Sequence, residues 1–82
     1  LTLQEILKKQ HLKIERIEKY YYYKNKRWDL IFSNGLTLKL PSKNIDKSIR
    51  IYHQLFDKDH LIHTKIVDLR ITNQIILTNN NE

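Results

Sequence analysis

The sequence predicts an α+β domain in which two helices pack on an antiparallel β-sheet, with the element order α-βββ-α-ββ. Apolar residues recur at every second position in segments 28–33 and 36–40, as in strands that bury one face. Asn34-Gly35 lies between these segments and is a strong signal for a two-residue type I′ hairpin turn. Apolar residues then recur at helical spacing from residue 45 to residue 56, which predicts an amphipathic helix after the hairpin.

The chain before this hairpin predicts a short helix and a long first strand. An apolar stripe in residues 3–7 favours a helix that Thr2 caps and His11 ends. Residues 12–24 then form the first strand, with a bulge where the apolar alternation breaks. The run Tyr20–Tyr23 consists of strong strand formers, so two rings point to each face of the strand.

The chain after the hairpin predicts the second helix and two more strands. Pro41-Ser42 ends the third strand, and Ser42 or Asn44 caps the helix that follows. The remaining predicted elements are a polar loop at 57–60, a strand at 65–71, a turn at Thr72-Asn73 and a final strand at 74–78. Residues 1–82 are thus predicted to be one domain, with a polar C-terminal end.

The composition narrows the range of functions. The chain has 82 residues and no cysteine, which excludes a disulfide framework and cysteine-ligated metal. It has no run of 18 apolar residues, so it contains no predicted membrane span. It also lacks methionine, and we expect it to be a fragment of a longer protein. The net charge of +6 favours an acidic partner, although a solvated Lys- and Asn-rich surface gives the same composition.

No pattern in the chain predicts catalysis, a cofactor or a metal site. Ser33, Ser42 and Ser48 lack the sequence context of a catalytic triad, and there is no Gly-rich phosphate loop. The histidines do not follow the spacing of a zinc site; they are His11, His53, His60 and His63. We therefore expect a binding protein that is not an enzyme.

The tyrosine run suggests one class of partner. Tyr20–Tyr23 lies among basic residues, namely Lys19, Lys24, Lys26 and Arg27. Aromatic rings beside lysines can stack on the bases of single-stranded nucleic acid and follow its phosphates. An anionic lipid surface would suit the same charges. The alternative is an ordinary strand whose inward rings pack and whose outward rings lie at the surface.

Two motifs in a fixed order resemble a known family. RWDLIFSNGLTLKLP, ahead of a helix, and KIVDLRI, followed by a turn and a last strand, resemble the C-terminal β-domain of the FtsQ/DivIB family. The resemblance runs from Leu3 to Leu77. It implies a non-enzymatic cell-division scaffold without cofactor or small-molecule substrate. It also implies that one membrane span and a POTRA domain precede this domain, which would lie on the periplasmic side of the inner membrane.

The resemblance further implies the partners FtsB and FtsL and a site for them. In the family the last strand of the β-domain accepts a strand of FtsB, and the arginine of the VDLR motif, here Arg70, pairs with an acidic residue. Ile71 stands where an aromatic anchor is common, and Asn73 and Gln74 form a turn that usually contains glycine. The remaining site residues carried over are the strand residues Ile75, Ile76 and Leu77 and the basic pair Lys26 and Arg27.

Local physics supports an edge-strand site. A final strand Gln74–Thr78 leaves one row of backbone groups unpaired, and its sequence holds no charge, proline or glycine to discourage pairing. Ile75 and Ile76 point to opposite faces, so both are buried only when each face is covered. The same edge offers a surface for self-association. Arg70 has a second use, because Asp68 lies two residues away and can pair with it.

Overall fold

The predicted element order is present in the computed structural model, which describes residues 2–55, 64–71 and 74–79. The elements are α1 (Leu3–Lys9), a 3-10 turn (Ile14–Arg16), β1 (Ile17–Tyr22), β2 (Trp28–Phe32), β3 (Thr37–Lys39), α2 (Ile45–Leu55), β4 (Thr64–Asp68) and β5 (Ile76–Asn79). This arrangement confirms the α+β class. The first strand is shorter than predicted, since the 3-10 turn occupies the start of the predicted segment 12–24.

The strands form one sheet in the order β1-β2-β3-β4-β5. The β1–β2, β2–β3 and β4–β5 pairs are antiparallel, as predicted, whereas β3 and β4 are parallel. The parallel pair arises because α2 lies between β3 and β4 in the chain, and a helical crossover returns the chain to the end of the sheet where β3 began. This topology makes β1 and β5 the two edges of the described sheet.

The core lies between one face of the sheet and the two helices. Leu30, Leu38 and Val67 are cross-strand neighbours on β2, β3 and β4, and all three are buried. Leu7 of α1 and Ile49 of α2 belong to the same buried cluster. Each such side chain contributes about 2 kcal/mol through its removal from water. Both predicted helices therefore cover the same face of the sheet.

Both ends of α1 are capped at the residues that the sequence predicts. The Thr2 hydroxyl accepts a hydrogen bond from the Glu5 N–H at 3.2 Å, and the Glu5 carboxylate accepts one from the Thr2 N–H at 2.8 Å, which completes a capping box. At the other end His11 adopts a left-handed φ of 63°. The N–H groups of His11 and Leu12 donate to the carbonyls of Lys8 and Leu7, the hydrogen-bond pattern of a Schellman cap.

Both hairpins of the β1–β2–β3 meander have three-residue loops. Gly35 N–H donates to the Phe32 carbonyl, Phe32 N–H donates to the Leu36 carbonyl, and Gly35 has φ 90°. The predicted two-residue type I′ turn is wrong, because it requires positive φ at Asn34 as well, and Asn34 does not have it. The Asn34 side chain instead accepts the Leu36 N–H at 3.0 Å. The turn therefore needs glycine only at its third position.

Candidate functional site

The β5 edge combines exposed apolar side chains with an absence of charge. Asp68, Val67 and Ile66 of β4 pair with Ile76, Leu77 and Thr78 of β5, and no strand among the described residues pairs with the other side of β5. Ile76 is 45% exposed and Leu77 is 37% exposed. Residues 74–79 include no charged residue, proline or glycine. Within the described part of the chain, this edge therefore has unpaired backbone groups, which are a template for strand pairing.

Ile75 and Ile76 take opposite faces, as the sequence predicted. Ile75 is half-buried and packs against the core, whereas Ile76 is exposed. Gln74 N–H donates to the Ile71 carbonyl at 3.1 Å, which closes the connection between β4 and β5. Asn73 lies outside the described residues, and so do His60 and His63.

Arg70 is held at the end of β4 by Asp68. Its Nε lies 2.9 Å from Asp68 Oδ1 and its Nη2 lies 2.6 Å from Oδ2, so the ion pair is bidentate. The hydrogen bond from Arg70 lowers the pKa of Asp68, more strongly than burial of the carboxylate raises it. The same bond raises the pKa of Arg70. The Arg70 side chain is 44% exposed, so the outer donors of its guanidinium remain open to solvent.

The two basic residues predicted beside the site, Lys26 and Arg27, lie in different environments. Arg27 is only 13% exposed, and its Nη1 donates to Asp29 Oδ1 at 2.7 Å and to the Leu40 carbonyl at 3.2 Å. The Tyr23 hydroxyl donates to Asp29 Oδ2 at 3.0 Å, and this hydrogen bond raises the pKa of Tyr23. Arg27 thus binds within the fold, whereas Lys26 is exposed in the loop.

A row of alternating charges crosses the face of the sheet opposite the helices. Asp29 of β2 pairs with Lys39 of β3, and Lys39 pairs with Asp68 of β4. The positive charge of Lys39 helps to lower the pKa of Asp68. Lys39 is not among the site residues predicted from the sequence. The alternation of Leu38, Lys39 and Leu40 was the available signal, since it places the lysine on the face that the leucines avoid.

A small pocket lies on the helix side of the sheet, next to the β4–β5 connection. Its volume is about 50 Å³, and the residues important for its chemistry are Lys43, Lys47, Ile51, Leu69, Ile71 and Ile75. Ile71 and Ile75 are among the site residues predicted from the sequence, whereas the contribution of α2 was not predicted. Lys47 and Ile51 lie four residues apart on one side of α2, and Lys43 lies just before the helix begins.

The four consecutive tyrosines do not form one platform. Tyr20 and Tyr22 lie beside Trp28, with ring centroids 6.2 Å and 4.6 Å away, and Tyr20 also binds Gln4. Tyr21 pairs across the strands with Asp29, on the other face. The predicted division into two rings on each face is confirmed. A nucleic-acid strand could therefore stack on only two of the rings from either side.

In residues 2–55, 64–71 and 74–79, no group of three or more His, Asp or Glu side chains is arranged to hold a metal ion. None of the helices in this described part is long and apolar enough to cross a membrane.

Comparison with known proteins gives consistent results. The family model described as "Cell division protein FtsQ/DivIB, C-terminal" matches residues 1–70. "Cell division protein FtsQ" of Rhizobium radiobacter is 30% identical over 61 residues, which cover 72% of this chain and 29% of that protein. "Cell division protein FtsQ" of Agrobacterium fabrum is also 30% identical over 61 residues, covering 72% of this chain and 19% of that protein. The aligned region thus covers less than a third of these relatives, and β5 lies beyond the family match.

Proposed function

We infer the function of this chain from one premise: it belongs to the FtsQ/DivIB family of cell-division proteins. We propose that the domain is a non-enzymatic scaffold that captures a β-strand of a partner division protein along β5. Its partners would be FtsB and, through FtsB, FtsL. In this proposal the domain is the C-terminal part of a longer protein, held on the periplasmic side of the inner membrane by one membrane span.

The observation that carries the proposal is the open, uncharged edge of β5. Soluble proteins usually protect such an edge with charge, proline or a bulge, because it is a template for pairing with another chain. None of the three is present on β5. Main-chain hydrogen bonds to an added strand would supply the affinity, and the side chains that flank the edge would supply the specificity.

Arg70 is the side chain that we propose selects the partner. It follows the end of β4 by two residues and binds Asp68, the cross-strand partner of Ile76, so it lies on the same face of the sheet as Ile76. Asp68 restrains the guanidinium in one orientation while leaving it 44% exposed. A restrained guanidinium loses less side-chain freedom on binding, which favours a carboxylate of the incoming strand.

The test is an amide NMR titration of the chain with a peptide from the acidic, strand-forming C-terminal segment of FtsB. We expect shifts at residues 70–78, and loss of binding in Arg70→Glu and Ile76→Pro. Lys19→Glu is the matched control, because it makes the same charge change at the β1 edge and should leave binding unchanged. The dispersion of amide signals in each variant would establish that the fold is intact.

Modified peptides make the test independent of substitutions in β5. Peptides N-methylated at one residue or the next lose a single backbone donor each, and only one of the two donors faces β5 in an added strand. We expect one methylated peptide to bind and the other to fail. Equal binding by both peptides, or intact binding by Arg70→Glu and Ile76→Pro, would exclude strand addition. Shifts at residues 20–27 with a single-stranded oligonucleotide alone would instead support nucleic-acid binding.

A further inference from the structure

The two faces beside the β5 edge present different chemistry. On the face opposite the helices, Arg70 binds Asp68, and Asp68 pairs across the strands with Ile76. On the helix face, the neighbouring residues Leu69 and Ile75 pack into the core and line the pocket. A cationic group and an apolar pocket therefore flank the same end of one strand, on opposite sides of the sheet.

The pocket favours a large apolar side chain. Ile51, Leu69 and Ile75 provide apolar walls, and Asn44, Ser48 and Gln74 add polar ones. The volume of about 50 Å³ is several times the roughly 10–15 Å³ that one water molecule requires. That space admits the end of an aliphatic or aromatic side chain. Lys43 and Lys47 belong to the lining, which includes no acidic residue. A lysine or arginine of the partner would be repelled there.

The opposite face favours a single carboxylate. The charged row together with its flanking arginines contains three cations, Arg27, Lys39 and Arg70, and two carboxylates, Asp29 and Asp68. One positive charge therefore remains without an opposite charge inside the row. Because Asp29 and Asp68 are both buried, this excess charge is presented through Arg70, the most exposed cation of the two ion pairs.

We propose that the β5 edge selects a strand in which an acidic side chain and a large apolar side chain stand an odd number of residues apart, most simply as neighbours. The inference rests on strand addition at β5. Successive side chains of a strand point to opposite faces, so residues at odd separation meet Arg70 on one side and the pocket on the other. At even separation both side chains point to one face, and a one-residue slip does not correct the mismatch.

The test uses peptides of identical composition that differ only in order. Each carries one Glu and one Phe in a background of Thr and Val, with the two residues adjacent in one peptide and two positions apart in the other. We expect the adjacent arrangement to bind the 82-residue chain at least about tenfold more tightly, which corresponds to about 1.4 kcal/mol. Fluorescence anisotropy of labelled peptides would give both affinities.

Two variants of the chain test separately the preference for the acidic side chain on one face and for the apolar side chain on the other. Arg70→Glu should prefer the adjacent peptide in which Lys replaces Glu, since the charges are exchanged. Ile51→Trp should fill the pocket and remove the preference for Phe over Ala, while the preference for Glu over Gln remains. Equal affinity for the adjacent and spaced peptides would overturn the odd-separation rule yet leave strand addition standing. Failure of every peptide, including the FtsB segment, to bind would overturn strand addition itself.

Discussion

The two edges of the sheet meet solvent in different ways. β1 contains a register shift between Ile17 and Lys19, and its exposed side chains there include Glu18 and Lys19. A bulge and charges are two of the means by which proteins discourage pairing at an edge. β5 has neither, and the register shift of the β4–β5 pair lies on the β4 side, between Thr64 and Ile66. Its exposed residues include Ile76 and Leu77.

The difference between the two edges indicates that the apolar surface of β5 is not required for folding. Both edges belong to one sheet in one basic chain, so overall composition cannot account for the difference. Burial does not require exposed isoleucine or leucine on β5, and a polar residue at either position would lower the risk of aggregation. An edge left apolar beside a protected edge is the pattern expected when one edge receives a partner.

The largest predicted effect is a loss of stability in the sheet to which both edges belong. Leu38 is buried in β3, with cross-strand neighbours on both sides, so Leu38→Ala leaves a cavity at the centre of the sheet. We expect the free energy of unfolding to fall by about 3 kcal/mol, a large part of the total for a domain of this size. Urea denaturation would measure it. Thr37→Ala, on the opposite face of the same strand, should cost about 1 kcal/mol or less.

The second prediction makes the two edges alike. Ile76→Lys places on β5 the kind of charge that β1 already carries, and we expect affinity for the partner strand to fall at least about tenfold. Because Ile76 is exposed, the free energy of unfolding should change by no more than about 0.5 kcal/mol. Isothermal titration calorimetry would measure binding and urea denaturation would measure stability. Undiminished affinity would show that β5 is not the site.

The third prediction concerns the two hairpin loops of the β1–β2–β3 meander. Loops 23–27 and 32–36 share the same pair of backbone hydrogen bonds, yet the left-handed position is Lys26 in the first and Gly35 in the second. A side chain costs about 1 kcal/mol or more in that conformation, partly offset by the entropy of glycine in the unfolded chain. We expect Lys26→Gly to stabilise the domain by about 0.5 kcal/mol.

Gly35→Ala is the matched opposite change. An added Cβ at Gly35 meets nothing within 4 Å, so the whole penalty comes from its φ of 90°. We expect a loss of about 1 kcal/mol in the free energy of unfolding. Thermal denaturation of both variants at one pH would compare them. Changes of the same sign in the two variants would contradict the loop geometry.

Local sequence signals predicted most of the fold, and non-local contacts account for what they missed. The capping box at Thr2 and the alternation of β2 and β3 depend on residues close in sequence, and both are present. The parallel β3–β4 pair was missed because it depends on where α2 returns the chain, which no local pattern specifies. The type I′ prediction at Asn34 failed because the three-residue loop satisfies the same glycine.

In the candidate site, too, local sequence patterns predicted some features, and features that depend on non-local contacts were missed. The opposite faces of Ile75 and Ile76 follow from strand periodicity, and the edge position of β5 follows from its being the last predicted strand. Both are present in the described residues. The hydrogen bond from Arg27 to the Leu40 carbonyl, thirteen residues away, was missed because no local pattern specifies it. The pocket likewise needs α2 and the β4–β5 connection to be brought together by the fold.

The smallest predicted effect concerns the residue that holds Arg70 beside β5. The pKa of Asp68 in the folded chain lies below its ordinary value of 3.8, chiefly because of the hydrogen bond from Arg70. A lowered pKa means that the ionised carboxylate stabilises the fold at pH values above 3.8, and that this contribution disappears as pH falls through the folded-state pKa. Asp68→Asn should therefore be less stable than the parent chain at pH 7, and the difference should shrink as pH falls below 3.8.

Asp46→Asn is the control for this pH dependence. Asp46 also faces an arginine, but its carboxylate lies 3.7 Å from Arg50 and both side chains are more than half exposed. An exposed pair of this kind contributes little to stability, so the control should follow the parent chain at every pH. Urea denaturation from pH 2 to pH 7 would compare the three proteins. A stability difference between Asp68→Asn and the parent that stayed constant over this range would show that Asp68 acts through packing, and Arg70 would then be positioned without help from its charge.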